Sequence, residues 1–536
     1  MSIKLLDCTL RDGAYIVESM FGTPAIKGII KHMQDANVDI IECGWLKDNT
    51  HKEGSSYYHV PSDMEPYLLE KNPNTTYIVM IDWNRYNTDA LPPYDGKSID
   101  AIRVVFPRGK QKEGIEVGNR IKAKGYKVFY QAANTLSYSN EELISLAKDM
   151  NEAMPESLSV VDTFGAMYDE DLIRIFTVLN QNLDKNIRLG FHSHNNQQLS
   201  FALTIQFVEM AQKSGRDIVV DASLCGMGRG AGNATTELLV SYLNRKQHAN
   251  YDLNLVLDAI DMYMGYFQAH YKWGYSTPYF IAGLYCTHVN NIAYLLKNHR
   301  TNAQDMRNVI ESLDPADRLK YDYDILEQKF LENQSRLVND KDTLAILRQE
   351  FKDKKVLLLA PGRSVVEQMD IIKTVIQKEK PIVVGINAFI NGYSYDYSFF
   401  VNSARYEYAK EVHTDLFRQT KKIVLSSIKA YADKDEYIVN FNNVIKRGWE
   451  HFDNAVICCL RLLGKLQVKD VLLAGFDGFK NVYNKSYADT ALPSLNPENK
   501  WDELNEEIKD IFTDFKKSNR NMNITFVTES LFNESI

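Results

Sequence analysis

The sequence predicts an α/β protein: a (β/α)8 TIM barrel with a helical extension, followed by a Rossmann-like α/β domain. Three observations predict it. Eight short apolar runs alternate with amphipathic stretches over residues 1–245. The β pattern then disappears until about residue 352. A second, shorter strand–helix alternation begins at Lys355.

The first set of runs is 3–7, 38–45, 77–83, 101–106, 127–132, 158–163, 187–194 and 218–224. Each is rich in Val, Ile and aromatics, as strands buried on both faces are. Helical spacing marks 23–36, 114–124, 140–153 and 199–214 between them. Eight such repeats match the arithmetic of a closed barrel, whereas a doubly wound open sheet usually has fewer strands. Helices are expected at 256–268, 285–297 and 303–312, then a charged, proline-free run at 323–352. In the last third, strands are expected at 356–360, 381–387, 397–402, 422–426, 470–476 and 523–528, with a helix running from the turn after the first of them through 377 and another at 454–463. The domains are therefore 1–250, a barrel; 251–352, a helical extension and connector; and 353–536, a Rossmann-like domain.

Composition narrows the class. The 536 residues are 45% hydrophobic and 25% charged, ordinary for a globular protein. Sixty-two Lys and Arg against 70 Asp and Glu leave a net charge of −8, which argues against a general nucleic-acid binder. No run approaches the ~20 apolar residues of a membrane span, and the first residues lack the pattern of a signal peptide. Six cysteines without a Cys-x-x-Cys pair make neither a disulfide framework nor a zinc ribbon. A cytoplasmic, homo-oligomeric enzyme is expected. The 31 Tyr and 24 Phe predict an aromatic-rich interior.

The strongest chemical signal is His192-Ser193-His194, at the end of the seventh run. Side chains at i and i+2 of a strand share a face, so both imidazoles point into the barrel mouth. Two imidazoles and a carboxylate suit a divalent metal. Asp12, in Arg11-Asp12-Gly13 just past the first run, is the candidate carboxylate. In a closed barrel, strands 1 and 7 are separated only by strand 8, so the three can meet.

Five motifs then fall in order: Asp7-Cys8-Thr9-Leu10-Arg11-Asp12-Gly13, Ile41-Glu42-Cys43-Gly44, Val161-Asp162-Thr163-Phe164-Gly165, His192-x-His194 and Gly226-Met227-Gly228-Arg229-Gly230-Ala231-Gly232-Asn233. Together they resemble the metal-dependent lyase superfamily of 4-hydroxy-2-oxovalerate aldolase, hydroxymethylglutaryl-CoA lyase and isopropylmalate synthase. The Gly-rich run followed by Glu237 is most similar to the aldolase branch. The resemblance implies Asp12, His192 and His194 as ligands of Mn, Mg or Zn, with Asn233 at or near the coordination shell. It implies Arg11 on the oxygen of a pyruvate-like enolate, with Glu42 orienting Arg11 or a metal-bound water. Tyr15 stands where the aldolases keep a catalytic histidine. A phenol, with its usual pKa of about 10, is a poorer base at neutral pH. Tyr15 is therefore read as binding substrate, donating a proton or replacing the histidine. The aromatic segment Trp273-Gly274-Tyr275 is expected to pack onto the barrel or close over substrate.

In the last third, Pro361-Gly362-Arg363-Ser364 forms a strand–helix turn, Asn387 and Asn402 end strands, and Gly475-Phe476-Asp477 ends another. These cues resemble, more weakly, the bacterial sialyltransferases of surface-glycan synthesis. The resemblance implies a nucleotide pocket with Gly362, Ser364, Asn387 and Asn402 as contacts. The catalytic histidine of those transferases has no counterpart, because no histidine follows His451.

The expected function is a divalent-metal aldolase or carboligase joining a 2-oxo acid, pyruvate first, to an aldehyde. That aldehyde is carried in one version on a nucleotide-linked sugar for surface-glycan synthesis. Two alternatives stand beside it. One is an acyl-CoA-dependent synthase of the isopropylmalate or citramalate type. The other is a glycosyltransferase or sugar-nucleotide-binding protein with an inert barrel.

Overall fold

The computed structural model describes residues 1–298, 303–335, 338–428, 436–449, 451–480, 486–492 and 501–533. Residues 336 and 337 of the charged run lie outside them. The chain divides into two compact units: Met1–Val289 with Arg318–Lys320, and Asn290–Asp317 with Tyr321–Ile536.

In the first unit the strands are β1 (Ile3–Asp7), β2 (Ile40–Leu46), the two-residue β3 (Tyr57–Tyr58), β4 (Thr76–Asp82), β5 (Ala101–Phe106), β6 (Lys127–Ala132), β7 (Ser157–Asp162), β8 (Arg188–Ser193) and β9 (Ile218–Ala222). They pair in parallel in the order β1-β9-β8-β7-β6-β5-β4-β2, with β3 on β2. The β1–β2 pairing closes eight of them into a barrel through only Leu6↔Ile40 and Asp7↔Ile41. β3 was not expected from the sequence, being too short to carry a period.

The barrel interior changes character along each strand. Leu6, Ile40, Ile78, Ala101, Phe129 and Val219 form a buried apolar cluster at its lower end. Two residues further on, four of those strands carry Glu42, Arg103, Gln131 and Asp221, all buried. A step of two keeps a side chain on the same face, so an oily floor supports a charged upper layer at the C-terminal ends. The outer helices follow from amphipathic spacing. The helix Asn140–Ala153 buries Leu143, Leu146, Ala147 and Met150, and a capping box of Ser139 and Glu142 fixes its start.

The helix expected at 256–268 is Leu253–Ala259, a π turn at Ile260–Met264 and Gly265–His270. It begins earlier because the Asp252 side chain accepts from the Asn254 and Leu255 amides. The charged run folds as Tyr323–Ser335 and Lys341–Phe351.

The second unit is built on β10 (Val356–Leu359), β11 (Ile382–Ile386), β12 (Tyr397–Phe400), β13 (Lys421–Leu425), β14 (Tyr437–Val439), β15 (Asp470–Ala474) and β16 (Asn523–Phe526). All pair in parallel, in the order β14-β13-β12-β11-β10-β15-β16. The order reverses at β10, which puts a switch-point crevice between the ends of β10 and β15. β14 is the added strand, only three residues long. The helix expected to run through 377 is broken at Gln368 into Ser364–Glu367 and Met369–Glu379. No described helix is long and apolar enough to cross a membrane.

Candidate active site

At the C-terminal end of the barrel, one ligand atom each from Asp12, His192 and His194 lies within 4.8 Å of the others. β8 presents His192, and His194 follows just beyond its end. An antiparallel bridge between His194 and Asn233 brings the end of the Gly-rich loop alongside. Asn233 Nδ2 donates to Asp12 Oδ2 at 2.7 Å and lies 3.2 Å from the Met227 carbonyl oxygen. Its Oδ1 is buried and has no hydrogen-bond partner among the described residues. The loop packs hard on this cradle: a Cβ on Gly228 would fall 2.4 Å from Asp12 Oδ2 and 2.3 Å from Asn233 Nδ2. The donor set of one carboxylate, two imidazoles and an orphaned amide oxygen fits a divalent cation.

The protonation states suit that role. Burial alone would raise the Asp12 carboxyl, but Arg11 and the two histidines outweigh it and hold it below the usual carboxylate range. Burial lowers His194 to about 4 against the opposing pull of Asp12, so its ring is neutral at pH 7.

Behind the cradle runs a buried row of charges. Arg11 Nη1 donates to Asp12 Oδ1 at 2.6 Å, and its Nε to Glu42 Oε2 at 2.7 Å. Arg11 Nη2 is buried with no hydrogen-bond partner among the described residues. Arg103 reaches Glu42 Oε1 at 3.4 Å and both oxygens of Asp221, at 2.7 and 3.0 Å. Asp221 Oδ2 lies 3.1 Å from His192 Nδ1, close but off the hydrogen-bonding line. Burial opposes the Asp221 charge, yet Arg103 and His192 bring its pKa down to about 2. In this row three carboxylates face two guanidiniums, so one negative charge is left for a cation to answer.

Arg103 and Asp221 escaped the sequence reading. Their signal was a single charge at an inward position of an apolar strand, in Ala101-Ile102-Arg103 and Val219-Val220-Asp221. Glu42 meets Arg11 directly, within hydrogen-bonding distance.

Tyr15 lies at the rim. It is 43% exposed overall and meets Trp45 edge-on, with ring centroids 6.1 Å apart. Burial around its hydroxyl raises the phenol well above its ordinary range, with Arg229 opposing. Trp273 Nε1 donates to the Cys225 carbonyl oxygen, which fastens the aromatic segment to the Gly-rich loop. It lines a recess that Asn233 also lines.

Residues 110–262 match the family model described as HMGL-like. That match lies wholly within the barrel unit. The chain is 27% identical over 261 residues to an oxaloacetate decarboxylase of Mycobacterium tuberculosis, covering 48% of this chain and 74% of that protein. It is 26% identical over 276 residues to a 4-hydroxy-2-oxovalerate aldolase of Geobacillus genomosp. 3, covering 48% and 76%. Among solved structures, the HMG-CoA lyase of Bacillus subtilis is 17% identical, covers 50% of this chain and 93% of its own, and gives a TM-score of 0.41. The two curated relatives are named for reactions that break a carbon–carbon bond.

In the second unit, Gly362, Asn387 and Asn402 line one cavity at the strand ends, together with Asn454, Phe476 and Tyr487. The three asparagines share a pattern. Asn387 Oδ1 accepts from the Val401 amide at 2.9 Å, and Asn402 Oδ1 from the Arg405 amide at 3.0 Å. Asn454 Oδ1 accepts from the Val456 and Ile457 amides at 3.1 and 3.2 Å. With each oxygen fixed by backbone, none of the three side-chain NH2 groups donates a hydrogen bond among the described residues.

Ser364 departs from the expectation. Its amide and hydroxyl donate to Asp477, at 2.8 and 2.5 Å, and it lines a separate recess. Gly362 permits that approach, since a Cβ there would fall 2.5 Å from Asp477 Cγ. The amide suited to a phosphate is therefore already occupied by a carboxylate.

Proposed function

We propose that the barrel makes or breaks a carbon–carbon bond between the enolate of a 2-oxo acid, pyruvate first, and an aldehyde. One observation carries this reading: the unpartnered Arg11 Nη2 beside a buried Asp12/His192/His194 cradle. Asp12, His192, His194 and the Oδ1 of Asn233 would hold a divalent metal, which supplies Lewis-acid polarisation of the 2-oxo group. Arg11, locked by Glu42 and Asp12, offers its remaining N–H to the oxygen on which negative charge develops. Glu42, Arg103 and Asp221 keep Arg11 and His192 in place without touching substrate. Tyr15, held in its protonated form, donates to the oxygen of the aldehyde carbon and does not act as the base.

For the second unit we propose a nucleotide or sugar-nucleotide ligand. The three asparagine NH2 groups suit an acceptor-rich molecule and the aromatic wall suits a planar one. The occupied Ser364 amide moves its phosphates away from the Gly362 turn. A nucleotide-linked aldehyde used in making a surface-glycan sugar unites the two activities.

The test is solvent deuterium uptake into the methyl group of pyruvate. The wild-type protein with Mn2+ should exchange, chelator should stop it, and His192→Ala should lower the rate at least about 100-fold. Arg11→Lys, which keeps the charge and loses the fork, should slow exchange with the metal retained. Metal-independent exchange, or undiminished exchange in His192→Ala, would sink the assignment.

A further inference from the structure

The recess shared by Trp273 and Asn233 lies at the root of the Gly-rich loop. Its volume is about 300 Å3, at the lower end of the range for small-molecule sites. Cys225 lines it at the start of the loop and Asn233 at the end. Gln268, Tyr271 and Trp273, from the helix Gly265–His270 and the residues just after it, contribute further wall. Backbone bonds tie the two ends of the loop down. The Asn233 amide donates to the Gly226 carbonyl oxygen at 3.0 Å, and the Asn195 amide to that of Gly232 at 2.8 Å. Trp273 Nε1 reaches the Cys225 carbonyl oxygen at 3.0 Å, where Cys225 holds a left-handed φ of 53°.

The lining side chains carry no charge. The Cys225 thiol stays neutral, because burial, and then Glu237, push it up to about 12. Four neutral polar groups face no partner within the protein. Asn195 Oδ1 accepts from the Ser200 amide at 3.2 Å, but its NH2 makes no hydrogen bond among the described residues. The hydroxyls of Thr235 and Tyr271 and the side-chain amide of Gln268 make none there either. An anion or a cation would find no counter-charge in this recess, and its lost hydration would go uncompensated. A sugar hydroxyl both donates and accepts, which matches the two hydroxyls and the glutamine amide. The Tyr271 and Trp273 rings beside them suit the C–H face of a pyranose.

We infer that this recess binds a neutral monosaccharide, and that the sugar, reaching both ends of the Gly-rich loop, steadies Asn233 and so tightens the metal cradle. Asn233 is where the two sites meet: its backbone bridges to His194, and its Nδ2 holds Asp12 Oδ2 at 2.7 Å. A ligand that fixes Asn233 favours the arrangement that a cation in the cradle also favours. By linkage, sugar and metal then strengthen each other's binding by the same factor. No bond is made or broken on the sugar. The coupling rests on the metal reading of the cradle; the sugar site itself does not.

The experiment measures binding to the full chain by calorimetry and saturation-transfer NMR. The probes are D-glucose, N-acetyl-D-glucosamine and D-ribose, with D-glucuronate, glucose 6-phosphate and cytidine beside them. At least one neutral sugar should bind, and its charged counterparts should bind about 10-fold more weakly or not at all. Gln268→Ala and Tyr271→Phe each remove one hydrogen-bonding group from the recess and leave the cradle untouched, so each should weaken the sugar about 3- to 10-fold. Saturating sugar should tighten Mn2+ about 5-fold or more, and Mn2+ should tighten the sugar equally. Failure of every neutral sugar to bind overturns the site, as does binding that both variants leave unchanged. Cytidine bound through Gln268 in place of a sugar overturns it too. An Mn2+ affinity that the sugar does not move overturns the coupling. A chain that binds sugar through Gln268 but takes up no Mn2+ overturns the metal reading of the cradle and leaves the sugar site standing.

Discussion

Asp7 illustrates what burial does to a carboxylate whose hydrogen bonds fall short of compensating it. It accepts from the Thr9 amide at 3.0 Å and the Thr236 hydroxyl at 2.7 Å. Burial still raises its pKa from 3.8 to about 6. Between those values the folded chain binds a proton that the unfolded chain releases. The stability it contributes is therefore complete below about pH 4 and is lost as pH rises through 6. The loss is at most about 3 kcal/mol. Asp7→Asn should remove that slope, so its melting temperature should gain on the wild type as pH goes from 4 to 7; a constant difference in thermal melts would contradict this. Residues of this kind separate what the sequence could tell from what it could not. Asp12 and His192-x-His194 were legible because strand-end position and spacing forecast a shared face. Arg103 and Asp221 were not, since one charge inside an apolar run carries no mark of the partner it will meet across the barrel.

At the scale of elements, the loop from Gly226 to Asn233 works by having no side chains where it touches the cradle. Gly228→Ala should push Asp12 and Asn233 apart and weaken Mn2+ binding about 10- to 100-fold in calorimetry, with the overall circular dichroism kept. Unchanged affinity would mean the loop yields more readily than its packing implies. Strand runs were legible because burial on both faces concentrates Val and Ile, and β1, β5 and β6 fall at the limits their composition marks. Two features were not. The π turn at Ile260–Met264 leaves the apolar spacing of its helix intact, and β14 has only three residues in which to register a period.

For the whole molecule, two compact units, each with its own proposed ligand, imply two separable responses. Mn2+ at about 100 times its Kd stabilises the state it binds by about 2.7 kcal/mol. That should raise the melting of the barrel unit by roughly 5–10 °C in scanning calorimetry. A cytidine nucleotide should move the second unit's transition instead. A nucleotide that shifts nothing would remove the ligand assigned to the asparagine-lined cavity. The division into two α/β patterns was legible from where alternation stops and resumes. Its placement at Val289 was not, because no Gly-, Ser- or Pro-rich linker marks the join.

The thin pairing that closes the barrel has a mechanical consequence. β1 and β2 are joined by two residue pairs, while β5 and β6 share six. Arg11 follows the first of those strands and Glu42 lies on the second, so their 2.7 Å bond fastens the seam the backbone leaves slack. The group assigned to the enolate is then also a rivet. Charge drawn from Arg11 during turnover would be felt as tension across the joint.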